Sequence, residues 1–104
     1  MVIVSKAILR DYAEKNPDVT NAILNWYDLV REANWKNFSE MKKTFNSVDA
    51  VGNDRYVFNL KGNQYRLVEL IIFRVRTVFI LFIGSHKEYD KISADTVEHI
   101  NFGK

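Results

Sequence analysis

Between Arg55 and Gly84 the chain passes through three stretches rich in Tyr, Val, Phe, Ile and Leu: Arg55 to Leu60, Gln64 to Phe73 and Val78 to Gly84. Only Lys61-Gly62-Asn63 and Arg74 to Thr77 separate them. Connections that short join antiparallel neighbours and leave no room for a crossover helix, so the segment predicts a three-stranded meander with two tight hairpins. A sheet of this kind must bury at least one face, and the residues that cover it have to come from the first half of the chain.

That half supplies them. Val2-Ile3-Val4 predicts a brief strand, with Ser5 as the N-cap of a helix of about ten residues on which Ile8, Leu9, Tyr12 and Ala13 recur at helical spacing until Asn16-Pro17 stops it. Asp18 can cap a second helix whose apolar positions Val19, Ala22, Ile23, Trp26, Tyr27, Val30 and Ala33 follow the i, i+3, i+4, i+7 pattern. Ser39 predicts the cap of a further short helix through Phe45. Asn46 to Asp54 reads as a loop turning at Gly52-Asn53, and the polar run from Ser85 to Lys91 as the start of a short C-terminal helix. The expected class is therefore α+β, one domain over residues 1–104, with helices on one sheet face and the other face left for binding.

Composition removes several chemistries. The chain has no cysteine, so disulfides, thiolate nucleophiles and Cys-containing zinc sites are out, and His86 and His99, 13 positions apart, do not have the spacing of a metal site. Neither a metal nor a cofactor is expected: no phosphate-binding glycine loop, dinucleotide fingerprint or nucleophile elbow occurs. No apolar stretch approaches the roughly 20 residues that span a bilayer, and Met1 to Ser5 has no secretory pattern, so the expected setting is cytoplasmic and away from membranes. The formal net charge is only +2, but residues 38–91 carry nine basic and six acidic residues while residues 1–37 carry five of each. The positive excess lies in the sheet-forming half.

Hairpin geometry brings particular residues together. A turn at Gly62-Asn63 sets Arg66 beside Phe58 or Asn59, and a turn near Val75-Arg76 sets it opposite Ser85 and close to His86. Lys61 at the first turn and Lys87 just past the last strand add positive charge at the same end. Arg66 interrupts a strand whose same-parity neighbours Val68, Leu70 and Ile72 are apolar, so it must pair with a carboxylate, lay its stem over the apolar face, or serve a ligand. Arg74 lies eight residues further along the strand, about 26 Å away, and cannot share a small site with it. Tyr89 follows His86 by three residues, on the same side of a helix.

The runs Arg55-Tyr56-Val57-Phe58-Asn59-Leu60, Gly62-Asn63-Gln64-Tyr65-Arg66-Leu67 and His86-Lys87-Glu88-Tyr89-Asp90 together resemble the HigB toxin family within the RelE-like superfamily. Ala7, Tyr12-Ala13 and Pro17 extend the similarity into the first half. The resemblance implies a RelE-like fold and an endoribonuclease that cuts messenger RNA, commonly on the translating ribosome. It implies a reaction without metal, in which the RNA's own 2′-hydroxyl attacks the adjacent phosphate. It also implies a helix-turn-helix antitoxin of the HigA type, with operator DNA contacted only through the toxin-antitoxin complex.

Carried over residue by residue, Arg66 is the strand arginine that stabilises phosphorane-like charge, His86 falls where relatives place a general acid, and Tyr89 is a third catalytic candidate. Lys61, Lys87, Asn59 and Ser85 are the RNA-binding candidates around them. The RelE branch has arginine at the place of His86, a tyrosine later than Tyr89, and two lysines before the strand arginine where this chain offers only Lys61, which leaves the general base open. An imidazole titrates near about pH 6.5 and can donate to a leaving oxygen, whereas a guanidinium stays charged. Two other readings stand beside this one: a non-catalytic module that holds RNA or protein through Tyr56 and Tyr65, and an inactive toxin relative kept as a regulator.

Overall fold

A computed structural model describes residues 1–97. Its element order is β1 (Val2–Val4), α1 (Ala7–Lys15), a 3-10 turn (Pro17–Val19), α2 (Thr20–Glu32), α3 (Phe38–Thr44), β2 (Val48–Gly52), β3 (Arg55–Leu60), β4 (Tyr65–Ile72), a second 3-10 turn (Phe73–Val75), β5 (Thr77–Ser85) and α4 (His86–Tyr89). The five strands form one sheet in the order β1-β5-β4-β3-β2, with β1 parallel to β5 and the remaining pairs antiparallel. The α+β, RelE-like class is as expected. The meander has one strand more than expected.

That strand is β2, in a segment read as loop. Asp49, Ala50 and Gly52 favour strands weakly, but an edge strand needs only one partner, and Val48 is buried while Asp49 and Ala50 face solvent. Its hairpin turns at Asn53-Asp54 rather than Gly52-Asn53, with Gly52, Asn53 and Asp54 all at positive φ. Three helix starts also differ from expectation. Ser5 is not a cap: it takes a left-handed conformation (φ 70°) that turns β1 into α1, and Lys6 occupies the N-cap. Asp18 sits inside the 3-10 turn, so α2 starts from Val19, and its carboxylate is used elsewhere. Asn37, not Ser39, caps α3, its side chain accepting from the Glu40 amide at 2.9 Å.

All the long helices cover one face of the sheet. Leu9, Ile23, Trp26, Val30, Trp35 and Met41 pack there against Phe58, Leu67, Ile71, Val78 and Ile80. The Trp26 and Phe58 rings meet edge to face, with centroids 5.9 Å apart. The opposite face is not left bare as expected: Ile92, Ala94 and Val97 lie over Val57 and Val68. Arg55 clamps this return by donating through Nε and Nη2 to the Val97 carbonyl at 3.2 and 3.0 Å, and Asn53 donates to Asp95 O at 2.7 Å. Among the described residues this return covers Val57 and Val68, and Arg66 beside them is half-buried.

One residue contradicts its surroundings. Glu69 shares the helix-facing side of β4 with Leu67 and Ile71, lies opposite Tyr56 and Ile80, is fully buried, and among the described residues has no hydrogen-bond partner for either carboxyl oxygen. Burial alone pushes its pKa well above the carboxylate range, so the residue is carried as a neutral acid. Because the folded value is raised, its contribution is fully present below the unfolded value, about 4.3, and is lost as pH rises toward the folded one. Glu69→Met is therefore expected to stabilise the fold by about 1–3 kcal/mol at neutral pH and to flatten the decline toward alkaline pH. Urea unfolding from pH 5 to 9 measures both, and a variant no more stable than the parent would refute the assignment.

Candidate active site

The β3–β4 hairpin closes on the pair Leu60 and Tyr65, and its turn residues Lys61, Gly62 and Asn63 all have positive φ. In this register Arg66 stands directly opposite Asn59. On its other side the expectation needs correction: Arg66 pairs with Gly84, and it is Tyr65 that faces Ser85. The β4–β5 turn is centred one residue earlier than expected, and a bulge that makes Leu81 an extra residue in β5 returns half of the offset.

Gly84 beside Arg66 is a consequence of close packing. A Cβ there would lie 2.6 Å from Phe82 Cζ and 3.0 Å from Glu88 Cβ, so any larger residue would have to push the Phe82 ring aside and ease α4 off the strand end. The turn into α4 carries the Ser-x-x-Glu pattern of a capping box: Ser85 Oγ accepts from the Glu88 amide at 3.2 Å, and Glu88 Oε1 accepts from the Ser85 amide at 2.7 Å. The His86 amide donates to Gln64 O at 3.1 Å, which ties the first residue of α4 to the hairpin two positions before Arg66.

Arg66, His86 and Tyr89 are thereby gathered at one end of the sheet. The Arg66 guanidinium lies over the Tyr89 ring, 5.8 Å from its centroid, and Nη1 donates to Asn63 O at 2.8 Å. Arg66 is half-buried, and among the described residues no carboxylate reaches it. His86 and Asp90 are one helical turn apart, with Nδ1 and Oδ2 at 3.1 Å. A carboxylate can only accept, so Nδ1 carries the hydrogen and Nε2 is left for another partner. His86 remains half exposed, its side chain 54% accessible.

The four RNA-binding candidates divide. Lys87 is exposed on α4. Lys61 is held by Asp18, with Nζ 3.1 Å from Oδ2, and the same oxygen accepts the Tyr65 hydroxyl at 2.7 Å. The Tyr65 hydroxyl, followed by the Lys61 ammonium, holds the Asp18 carboxyl below its ordinary value. Asn59, although opposite Arg66, donates to the hydroxyl of Ser47, and the Ser85 hydroxyl is committed to the cap. Tyr56 and Tyr65, the aromatic platforms of the binding-module reading, belong to the helix-facing core, where Tyr56 packs on Phe38 and Phe73 and Tyr65 on Tyr12. They are not available for stacking on bases.

Asp90 was missed as a site residue, although an i, i+4 His and Asp pair beside a capping-box signature was visible in the sequence. Glu88, Tyr12 and Asp18 were missed because their partners are distant in the chain. Among the described residues no group of three or more histidine and carboxylate side chains converges as metal ligands, and no helix is long and apolar enough to cross a membrane; His99 lies outside the described residues.

Comparison with known proteins gives the family of the chain. The chain is 32% identical over 95 residues to an mRNA interferase HigB of Escherichia coli O6:H1 (strain CFT073), covering 89% of this chain and 92% of that protein. It is 29% identical over 96 residues to the mRNA interferase toxin HigB of Escherichia coli K12 and to the mRNA interferase HigB of Shigella flexneri, covering 90% of this chain and 92% of each. The family model for the HigB toxin, a RelE-like toxic component of a toxin-antitoxin system, matches residues 19–92, a span that includes Arg66, His86, Tyr89 and Asp90. The chain belongs to the HigB toxin family.

Proposed function

We propose that this protein is an endoribonuclease toxin that cleaves messenger RNA on the translating ribosome, is restrained by a helix-turn-helix antitoxin, and acts in the cytoplasm where its substrate is. The observation that carries this reading is a half-buried arginine that no carboxylate reaches among the described residues, stacked on Tyr89 beside a His86–Asp90 pair. A cation kept unneutralised at a sheet end is suited to an anion that arrives from outside.

The chemistry follows from the residue types and takes no metal. The RNA's 2′-oxygen attacks the adjacent phosphorus, the bond to the 5′-oxygen breaks, and the products are a 2′,3′-cyclic phosphate and a 5′-hydroxyl. Arg66 faces the charge that builds on the non-bridging oxygens. His86, protonated and held through Nδ1 by Asp90, delivers the Nε2 proton to the leaving 5′-oxygen. Tyr89 fixes the guanidinium from below and sets its phenol beside the same phosphate. Lys87 offers an exposed phosphate contact, and Lys61 a weaker one because Asp18 already holds it. With no strong base in the set, the alignment of the 2′-hydroxyl falls to the ribosome-bound substrate.

Expression of the chain alone is expected to arrest growth and translation, and co-expression of the antitoxin from the neighbouring reading frame to restore both. Mapping message ends by primer extension after induction separates the readings: new 5′-hydroxyl ends support the toxin, whereas high-level expression with intact message is incompatible with it and favours a binding module or an inactive relative.

A further inference from the structure

α4 carries both His86 and Tyr89, yet it is only four residues long. A single turn does not hold its own shape, since fixing the first helical residues costs more than one hydrogen bond returns. Besides the His86 amide's bond to Gln64 O and the stacking of Tyr89 on Arg66, it is held by one carboxylate oxygen that reaches a distant helix. Glu88 Oε1 accepts from the Ser85 amide at 2.7 Å and from the Tyr12 hydroxyl at 2.9 Å, across 76 positions of sequence. The Tyr12 ring is seated edge-on against Tyr65, with centroids 6.0 Å apart, and the Tyr65 hydroxyl is in turn fixed by Asp18.

We propose that Tyr12 and Glu88 are positioning residues for RNA cleavage: through the shared oxygen they lock α4 to α1 and so fix the His86 imidazole and the Tyr89 ring relative to Arg66. This rests on the function proposed above. The Tyr12 hydroxyl and Glu88 Oε1 are spent on each other and on the Ser85 amide, so both act through α4. Their protonation states suit the role at neutral pH. The Ser85 amide, followed by the Tyr12 hydroxyl, keeps the Glu88 carboxyl below its usual value, while burial and then Glu88 push the Tyr12 phenol far up, so donor and acceptor stay matched. Gly84 completes the lock by allowing Glu88 Cβ to approach the strand end.

The test uses Tyr12→Phe, which keeps the ring and its packing, together with Glu88→Ala, the double variant and Glu88→Gln. Single-turnover cleavage is measured on programmed ribosomes alongside the binding constant for those ribosomes. Tyr12→Phe is expected to slow cleavage about tenfold and Glu88→Ala about ten- to a hundredfold at saturating ribosome, with unchanged affinity, as for a reacting group displaced by a fraction of an ångström. The double variant is no slower than Glu88→Ala, because both changes break one network. Glu88→Gln, which keeps an acceptor oxygen for both donors, recovers most of the rate. Amide exchange at residues 85–90 accelerates in Tyr12→Phe. Wild-type rates in Tyr12→Phe and Glu88→Ala, in a preparation where the parent cleaves and Arg66→Ala does not, overturn the positioning role alone. A parent that produces no message ends overturns the functional reading and this role with it.

Discussion

Arg66→Ala is expected to slow single-turnover cleavage of message on programmed ribosomes by about 10²–10³, the effect of removing one preorganised electrostatic donor from a developing oxyanion. The variant should stay folded. The side chain is half-buried at a sheet end, and its loss gives up one hydrogen bond to Asn63 O and the stacking over Tyr89, together about 1–2 kcal/mol. Arg66→Lys should recover only part of the rate, since an ammonium keeps the charge but not the planar fork that can hold Asn63 O and a phosphate oxygen together. Thermal unfolding of each variant separates lost chemistry from lost structure. Cleavage by Arg66→Ala within a few-fold of the parent would remove the arginine from the mechanism.

His86→Gln is expected to slow cleavage by roughly 10²–10⁴, because glutamine can hydrogen-bond to Asp90 and to RNA but cannot deliver a proton at neutral pH. The substitution is structurally mild: His86 is half exposed, and its backbone link to Gln64 does not depend on the side chain. A substrate with a better leaving group at the 5′-oxygen needs no acid, so it should be cleaved by His86→Gln nearly as fast as by the parent. If the variant cleaves ordinary message at the parent rate while Arg66→Ala is inactive, the proton comes from Tyr89, Lys87 or the ribosome instead.

The sheet was legible because its signal is local. Runs of Val, Ile, Phe and Tyr divided by Lys61-Gly62-Asn63 and by Arg74 to Thr77 admit few arrangements, and they narrowed the neighbour of Arg66 to Phe58 or Asn59, of which the structure has Asn59. The error on the other side of Arg66 came from the β4–β5 turn, which is centred one residue earlier than its composition suggests, and the bulge at Leu81 makes up only half of that offset. Edge strand β2 was hidden for a related reason, since pairing with β3 rather than its own composition makes it a strand. The helix caps show the limit most clearly: Ser5, Asp18 and Ser39 are all good cap residues, but tertiary demands used the first for a left-handed turn and the second for Tyr65 and Lys61. At the site, the strand arginine and the α4 histidine could be named from the sequence. Asp18 and Tyr12 acquire their roles only when the chain brings them to residues 43 to 76 positions away.

The parallel pairing of β1 with β5 also dictates an order of folding. Val2 finds its strand partner only at Thr77, and α1 packs on the same strand as well as on α2, so both complete their packing only after β5 has been made. During synthesis the amphipathic α2 must wait with its apolar face uncovered, while β2, β3 and β4 can pair locally by hairpin closure. Closing the long loop between β1 and β5 is then the entropically costly step, and mutations in β5 should slow folding more than equally destabilising mutations in β2. Arg66 and His86 are joined through the β4–β5 hairpin and can meet early, whereas Tyr12 reaches Glu88 only when α1 docks on β5, so the finished geometry of α4 is a late product of the folding reaction.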